Sequence, residues 1–447
     1  MRSTRNTAIL ATVFFDCGRS ILLQRSCSVP LGPNSLRMLK QIIDAARLKP
    51  EFCAGLVHVP IEQFRRWMDG QLPIPAFVIP EICSILGVTE QNLTSPVRQI
   101  DDRGSLAPAV WFKLRENLAD ADREVVALIR RLGFFSAQLE TARGVPTSAS
   151  WRAIARTVLE QVDRSAPPTL QGRQAAMSFR AAALLDKGMT GIGDVLRKRL
   201  REIGLLVIES PIPRSSLEGF CLAIGPEADP RPCVFANTFK STWFRRNDVL
   251  LHEVCHAIFD IENDQISIDL LDSLDVTAMS EVRASAFARE TLVPEPVLRH
   301  YENQIGIKWD RLKVSDIAEL MAHTHVEQAT LLGAAFQGGF ISASQRSRYL
   351  DLDCAETLKA IGKHALSTRE YLDQEEGGPE SRNWIAANRT TTVGQRRLLL
   401  PVGYVKQVID TLMSGDISRG KAAEFLMIDR YTFEERFGGQ IAETCPA

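Results

Sequence analysis

Leu250-Leu251-His252-Glu253-Val254-Cys255-His256-Ala257-Ile258-Phe259 is the stretch that decides how this chain is read. Its pattern is apolar-His-Glu-x-x-His-apolar. On a helix, residues four apart share a face, so His252 and His256 can present two imidazole nitrogens to one metal ion. Glu253, one residue along, stands close enough to serve an attacking water as general base. Two neutral ligands and an adjacent carboxylate are what a hydrolytic zinc site requires. The apolar flanks predict a buried helix, which would thin the water around an ion and strengthen its pull on a carbonyl. The chain holds only 7 His in 447 residues, so two at helical spacing in an apolar run are hard to assign to chance.

Such a site needs a third protein ligand and an open fourth position. Working outward, Met279 to Pro294 shows Ala284, Phe287, Ala288 and Thr291–Leu292 at helical spacing, an amphipathic helix stopped near Pro294. Glu281 opens it on the side of Ala284 and Ala288, whose small side chains permit close approach to the His-Glu-x-x-His helix. Glu281 is the first candidate for the third ligand and Glu290 the second. The competing reading of Glu281 is a solvated first-turn carboxylate favoured by the helix dipole, and that of Glu290 a surface charge. Cys255 sits off the His252/His256 face and is expected to pack in the core as a small hydrophobe.

With these residues in view, the chain resembles the ImmA/IrrE family of metallopeptidases. Four stretches carry the likeness. Gly191 to Ile208 looks like the family's opening helix and first strand. Val234-Phe235-Ala236-Asn237 with Phe244 to Leu251 looks like its strand-to-helix approach. His252 to Phe259 matches its zinc helix, and Glu281 to Pro294 its ligand-bearing helix. The resemblance covers residues 175–345. It implies a zinc-dependent endopeptidase of gluzincin type, in which His252, His256 and Glu281 are zinc ligands and Glu253 is the catalytic base. Its usual substrate is a repressor or antitoxin-like protein, cut to release transcription. Two positions depart from the family: Val254-Cys255 replaces the usual Leu-Gly, and Ser285 stands where an Asn or Asp is usual.

Residues 34–97 hold a second constellation. Asn34-Ser35 is read as the cap of a helix through Leu36, Leu39, Ile42, Ile43 and Ala46. A short helix over Glu51–Val57, a turn at His58-Val59-Pro60, a helix over Ile61–Met68 ended by Gly70, and an apolar helix from Val78 to Leu86 follow. This resembles the helix-turn-helix of the XRE family, with Ala54 at the tight helix crossing, Val59, Phe64 and Trp67 buried, and His58 where the turn demands positive φ. Gln63, Arg65 and Arg66 are the candidates to meet double-stranded DNA, against the alternative of a solvated face. The segment is not notably basic, so a repurposed unit for protein contacts competes with DNA binding.

Composition sets the outer bounds. A chain of 447 residues with 45% hydrophobic and 24% charged residues is expected to form two to four globular domains. The net charge of −1 gives no global attraction to nucleic acid or membrane. Nine Cys without paired spacing fit a reducing cytoplasm, and no apolar run reaches the ~20 residues of a membrane span. Residues 1–33 are read as an irregular arm, 98–174 as a helical connector, and 346–447 as a helical extension that ends in a three-helix packing or dimerisation unit. His323 and His325 are read as exposed or helix-capping. The expected fold class is α+β, mainly α: a five-helix repressor-like unit, a central zincin-like domain with a small β-sheet, and a helical C-terminal region. The expected function is regulatory zinc-dependent proteolysis of a partner protein. The alternatives are a transcription regulator whose peptidase-like part only senses metal, and an antitoxin-like interaction protein that uses both domains to dock partners; assembly as a homodimer is open under each.

Overall fold

The structure is a computed structural model that describes residues 32–86, 119–144, 149–183, 191–224, 231–260, 267–270, 279–363 and 384–444, apart from a few isolated positions. Among the described residues the chain is mainly helical, with one small mixed sheet and one hairpin. Among the described residues no helix is long and apolar enough to cross a membrane. The six described cysteines are all buried and form no disulfide.

The first unit is built from α1 (Pro33–Ala46), α2 (Pro50–Leu56), α3 (Ile61–Met68) and α4 (Ile79–Leu86). The cap of α1 is Gly32 rather than Asn34 or Ser35, because Pro33 takes the first helical position, where its missing N–H costs nothing. The turn after α2 is the tight one expected: His58 has φ +55°, and the Val59 N–H reaches back to Ala54 O at 3.0 Å. Ala54, Phe64 and Trp67 are buried. The expected fifth helix lies outside the described residues.

The sheet has the order β1-β3-β2-β4, from β1 (Leu206–Ser210), β2 (Leu217–Ile224), β3 (Arg231–Asn237) and β4 (Ser267–Leu270). β1 runs parallel to β3, while β2 runs antiparallel to both its neighbours. Every residue of β3 is buried, as a strand covered on both faces must be. Its side chains alternate between two cores: Cys233 and Phe235 join one, Val234 and Ala236 the other.

On the first face lies α5 (Asp120–Ala142), within the stretch expected to form a helical connector. A Cβ at Gly133 would stand 3.1 Å from Ile224, so the bare backbone there lets α5 settle on the sheet. This same core takes in α1–α4 and the C-terminal elements, so α5 is a shared centre. α4 is held to it by a partly buried ion pair, Arg131 to Glu81 at 2.8 Å.

The second core packs α6 (Ala149–Glu160), α7 (Pro168–Ala182) and α8 (Leu196–Glu202) with α9 (Trp243–Phe259) and α10 (Met279–Leu292). It continues into α11 (Glu295–Ile305), α12 (Val314–Thr324), α13 (Gln328–Gln337), α14 (Ala343–Leu350) and α15 (Ala355–Ala360). α10 is clamped between α7 and α9. A Cβ at Gly172 would strike the Arg283 carbonyl, so the α7–α10 crossing is as close as a helix pair allows.

The C-terminal region is not purely helical. After α15 it holds an antiparallel hairpin, β5 (Thr390–Val393) and β6 (Arg396–Leu399), before α16 (Val402–Met413), α17 (Arg419–Phe425) and α18 (Arg430–Phe433). A π-turn over Glu434–Gly438 leads into α19 (Gly439–Thr444). The turn after α17 repeats the one after α2. Met427 has φ +52°, and the N–H groups of Leu426, Met427 and Ile428 bond to Ala422, Glu424 and Ala423, as Val57, His58 and Val59 bond to Cys53, Gly55 and Ala54.

Candidate metal centre

α9 carries the site, and the sequence explains its rigidity. Thr242 caps it, its Oγ1 accepting from Arg245 N at 3.1 Å and donating to Glu327 at 2.9 Å. Leu250, Leu251, Val254 and Cys255 are buried, so the helix is fixed by core on most sides. Its first half is tied down by polar contacts. Asn247, fully buried, donates to the His325 carbonyl at 2.8 Å and accepts from Arg197 at 2.6 Å. Arg197 in turn holds Glu209 of β1 with two bonds of 2.6 and 2.8 Å, its guanidinium lying 3.7 Å from the Trp243 ring centroid.

His252, His256 and Glu281 come together as the sequence reading expects, in a group that can hold a metal ion. His252 Nε2 lies 3.1 Å from His256 Nε2 and 3.1 Å from Glu281 Oε2, and His256 Nε2 lies 3.5 Å from Glu281 Oε1. Ligand atoms bound about 2.0–2.2 Å from a zinc ion in a tetrahedron stand roughly 3.3–3.6 Å apart. The observed separations of 3.1, 3.1 and 3.5 Å, the last measured to the other carboxylate oxygen, come close to that size, and the two-nitrogen, one-oxygen donor set suits the ion. His256 is almost fully buried, while the His252 and Glu281 side chains are 12% and 18% exposed.

Asp260 was not singled out from the sequence. Its Oδ2 accepts from His256 Nδ1 at 2.7 Å, and Arg283 donates to its other oxygen at 3.3 Å. This fixes the proton on Nδ1 and turns the Nε2 lone pair toward His252 and Glu281. The signal was present as an acid one helical turn after the second histidine, but acids at helix ends are too common to stand out. Burial disfavours charge on His256, yet Asp260 and Glu281 outweigh it and hold its pKa above the ordinary value. Burial likewise pushes the Glu281 carboxyl up, and the two histidines pull it much further down. The pocket is built to accommodate positive charge.

Glu253 is completely buried and faces β2: a Cβ at Gly219 would lie 3.2 Å from Glu253 Oε1 and 2.5 Å from Val249. Glu290 is drawn away from the site by Arg173, whose Nε donates to it at 3.0 Å. Ser285 is exposed, so it orients no ligand; Asp260 does so for His256. Cys255 is buried as expected, and burial pushes its thiol well up. His325 ends α12 with φ +56°, and His323 is exposed and stacks on Tyr301 at 5.3 Å; neither joins the group. Asn237, noted only as part of a strand pattern, is fully buried and pins the loop between β1 and β2 through Ile212 and Leu217.

The N-terminal candidates are placed less evenly. Arg66 is exposed and Gln63 half-buried. Arg65 is exposed but engaged by Glu51 at 2.6 Å, so α3 does not present two free cations side by side. The chain matches no protein-family model, no curated protein and no solved structure.

Proposed function

We propose that the chain is a zinc-dependent endopeptidase that acts as a regulator, cutting a repressor- or antitoxin-like protein, with α1–α4 supplying DNA or partner recognition. One observation carries the hydrolytic part of this reading. Two imidazole nitrogens and a carboxylate converge, 3.1–3.5 Å apart, beside a buried helix that also bears Glu253. The choice of a peptide substrate rests on the resemblance of residues 175–345 to ImmA/IrrE peptidases.

Bound to His252, His256 and Glu281, zinc would supply Lewis acidity toward a carbonyl and toward water. Asp260 keeps His256 in the tautomer whose Nε2 can bind. A Glu253 carboxylate oxygen takes a proton from the attacking water and passes it to the leaving amine nitrogen. Its burial makes that exchange proceed in a low-dielectric setting, where charge interactions are stronger than in water.

Glu253→Gln tests the assignment. The variant should retain stoichiometric zinc and lose cleavage of proteins co-expressed with the chain. Processing that continues unchanged in this variant refutes the enzymatic reading. Complete burial of Glu253 favours a second reading, in which a DNA-binding regulator uses the same group to sense metal with little turnover. In that case wild-type and Glu253→Gln chains would be equally inert as peptidases, while DNA binding would change with zinc. Arg65→Ala/Arg66→Ala should then weaken DNA binding and flatten its salt dependence.

A further inference from the structure

Away from the histidine pair, a cavity of about 630 Å³ lies between the edge strand β1, the C-terminal half of α5, the start of α9 and the first turns of α16. That volume lies within the range of small-ligand sites. Its walls mix apolar groups, among them Leu206, Ile208 and Tyr404, with a row of charges. Among the described residues, every carboxylate that lines the cavity already has a basic partner: Glu140 is taken by Arg231, Glu202 by Arg199 at 2.6 Å, Glu209 by Arg197 at 2.6 Å, and Asp410 by Lys406 at 4.0 Å. Arg143, the residue that follows α5, and Arg389, next to β5, line the same space. Among the described residues, neither has a carboxylate within ion-pairing distance.

Burial lowers the basicity of Arg389, and no acidic group offsets it. A guanidinium held in a partly desolvated wall without a counter-charge is unfavourable, and an anion delivered from solution would relieve that cost. The guanidinium fork also suits a carboxylate, sulfonate or phosphate better than a point charge would.

We propose that this cavity binds a small organic anion, its acidic group held between Arg143 and Arg389 and its apolar body against Leu206, Ile208 and Tyr404. None of its lining residues is His252, His256 or Glu281, so its test needs neither zinc nor cleavage.

The test uses the full chain and two fluorescent probes with the same arylaminonaphthalene body. One is 8-anilinonaphthalene-1-sulfonate, and the other is neutral N-phenyl-1-naphthylamine. The sulfonate should bind saturably, one per chain, and at least ~10-fold more tightly than the neutral probe, about 1.4 kcal/mol. Arg143→Gln and Arg389→Gln should each erase most of that preference and leave neutral binding unchanged. Gln407→Trp, which fills the cavity from α16, should block both probes. Unsaturable binding, equal affinity for the two probes, or a sulfonate affinity untouched by the arginine variants overturns the proposal. Should Arg389→Gln fail to fold, Arg143→Gln at the exposed end of α5 decides the matter alone.

Discussion

His256 shows how much of a metal centre depends on what stands behind a ligand. Asp260 holds its Nδ1 at 2.7 Å and so chooses which nitrogen is free. Asp260→Asn is expected to weaken zinc binding by ~10–100-fold, as measured by competition with a chelating dye. Ser285→Ala should leave it unchanged, because Ser285 is exposed. Equal loss in both variants would mean that Asp260 does not orient the ligand. Gly219 is the second lever. A methyl group there would press on Val249 at 2.5 Å and on the Phe235 carbonyl at 2.9 Å, with Glu253 Oε1 next in line at 3.2 Å. Gly219→Ala should cost ~1–3 kcal/mol of stability by overpacking. It should also lower cleavage with little change in zinc content, since Glu253 is among the groups it presses on and the ligands are not. An unaltered melting midpoint would show that β2 yields easily at this point.

At the scale of elements, α9 is positioned by a relay that starts on β1. Burial raises the Glu209 pKa, but Arg197 and Arg246 pull it down further, and the net shift is below the ordinary carboxylate value. A carboxylate depressed in the folded state stabilises the fold above its unfolded pKa, and that contribution is lost as pH falls through the folded pKa. Stability should therefore decline on acidification below the ordinary carboxylate range. Glu209→Gln should be less stable at neutral pH and should show a shallower acid limb. Denaturant midpoints measured against pH check this, and parallel curves would remove Glu209 from the account. Such relays are nearly invisible in sequence, because Arg197, Glu209 and Asn247 are far apart and read as surface residues. The His252/His256 pairing was legible because a helix brings i and i+4 together whatever surrounds it. Glu281 was legible from the small residues that follow it on α10. The β5–β6 hairpin was not, since each strand has only four residues and β6 begins with two arginines. Nor was the central place of α5. Val125 through Ile129 are all buried, leaving no polar stripe to mark a face, while its buried Arg123, Arg130 and Arg131 resemble surface charges.

Over the whole molecule, that central helix makes the N-terminal and C-terminal regions energetic neighbours. Residues of α1–α4, one face of the sheet, and α16–α18 share one apolar core around α5. Phe425 of α17 meets Phe135 of α5 with ring centroids 4.9 Å apart, and Phe425 is buried. The turn that precedes α3 also lies near α17, close enough for His58 to feel Glu424. Four sections of sequence read as separate pieces therefore meet at a common seam. Truncating Phe425→Ala should cost ~3–5 kcal/mol, the usual cost of a large core cavity. Where that loss appears is the informative part. If the seam unfolds as one cooperative unit, amide hydrogen exchange should quicken in α2, α4 and α5 as much as in α16 and α17, while α7 and α10 in the other core keep their protection. Exchange that quickens only after residue 384 would mean that the C-terminal region opens by itself and that the shared core is a contact without cooperativity. The two results bear differently on regulation. In a cooperative seam, a partner or DNA held by α3 is coupled by packing to the sheet on which Glu253 rests; in the other case, any coupling between the two regions must come from the substrate.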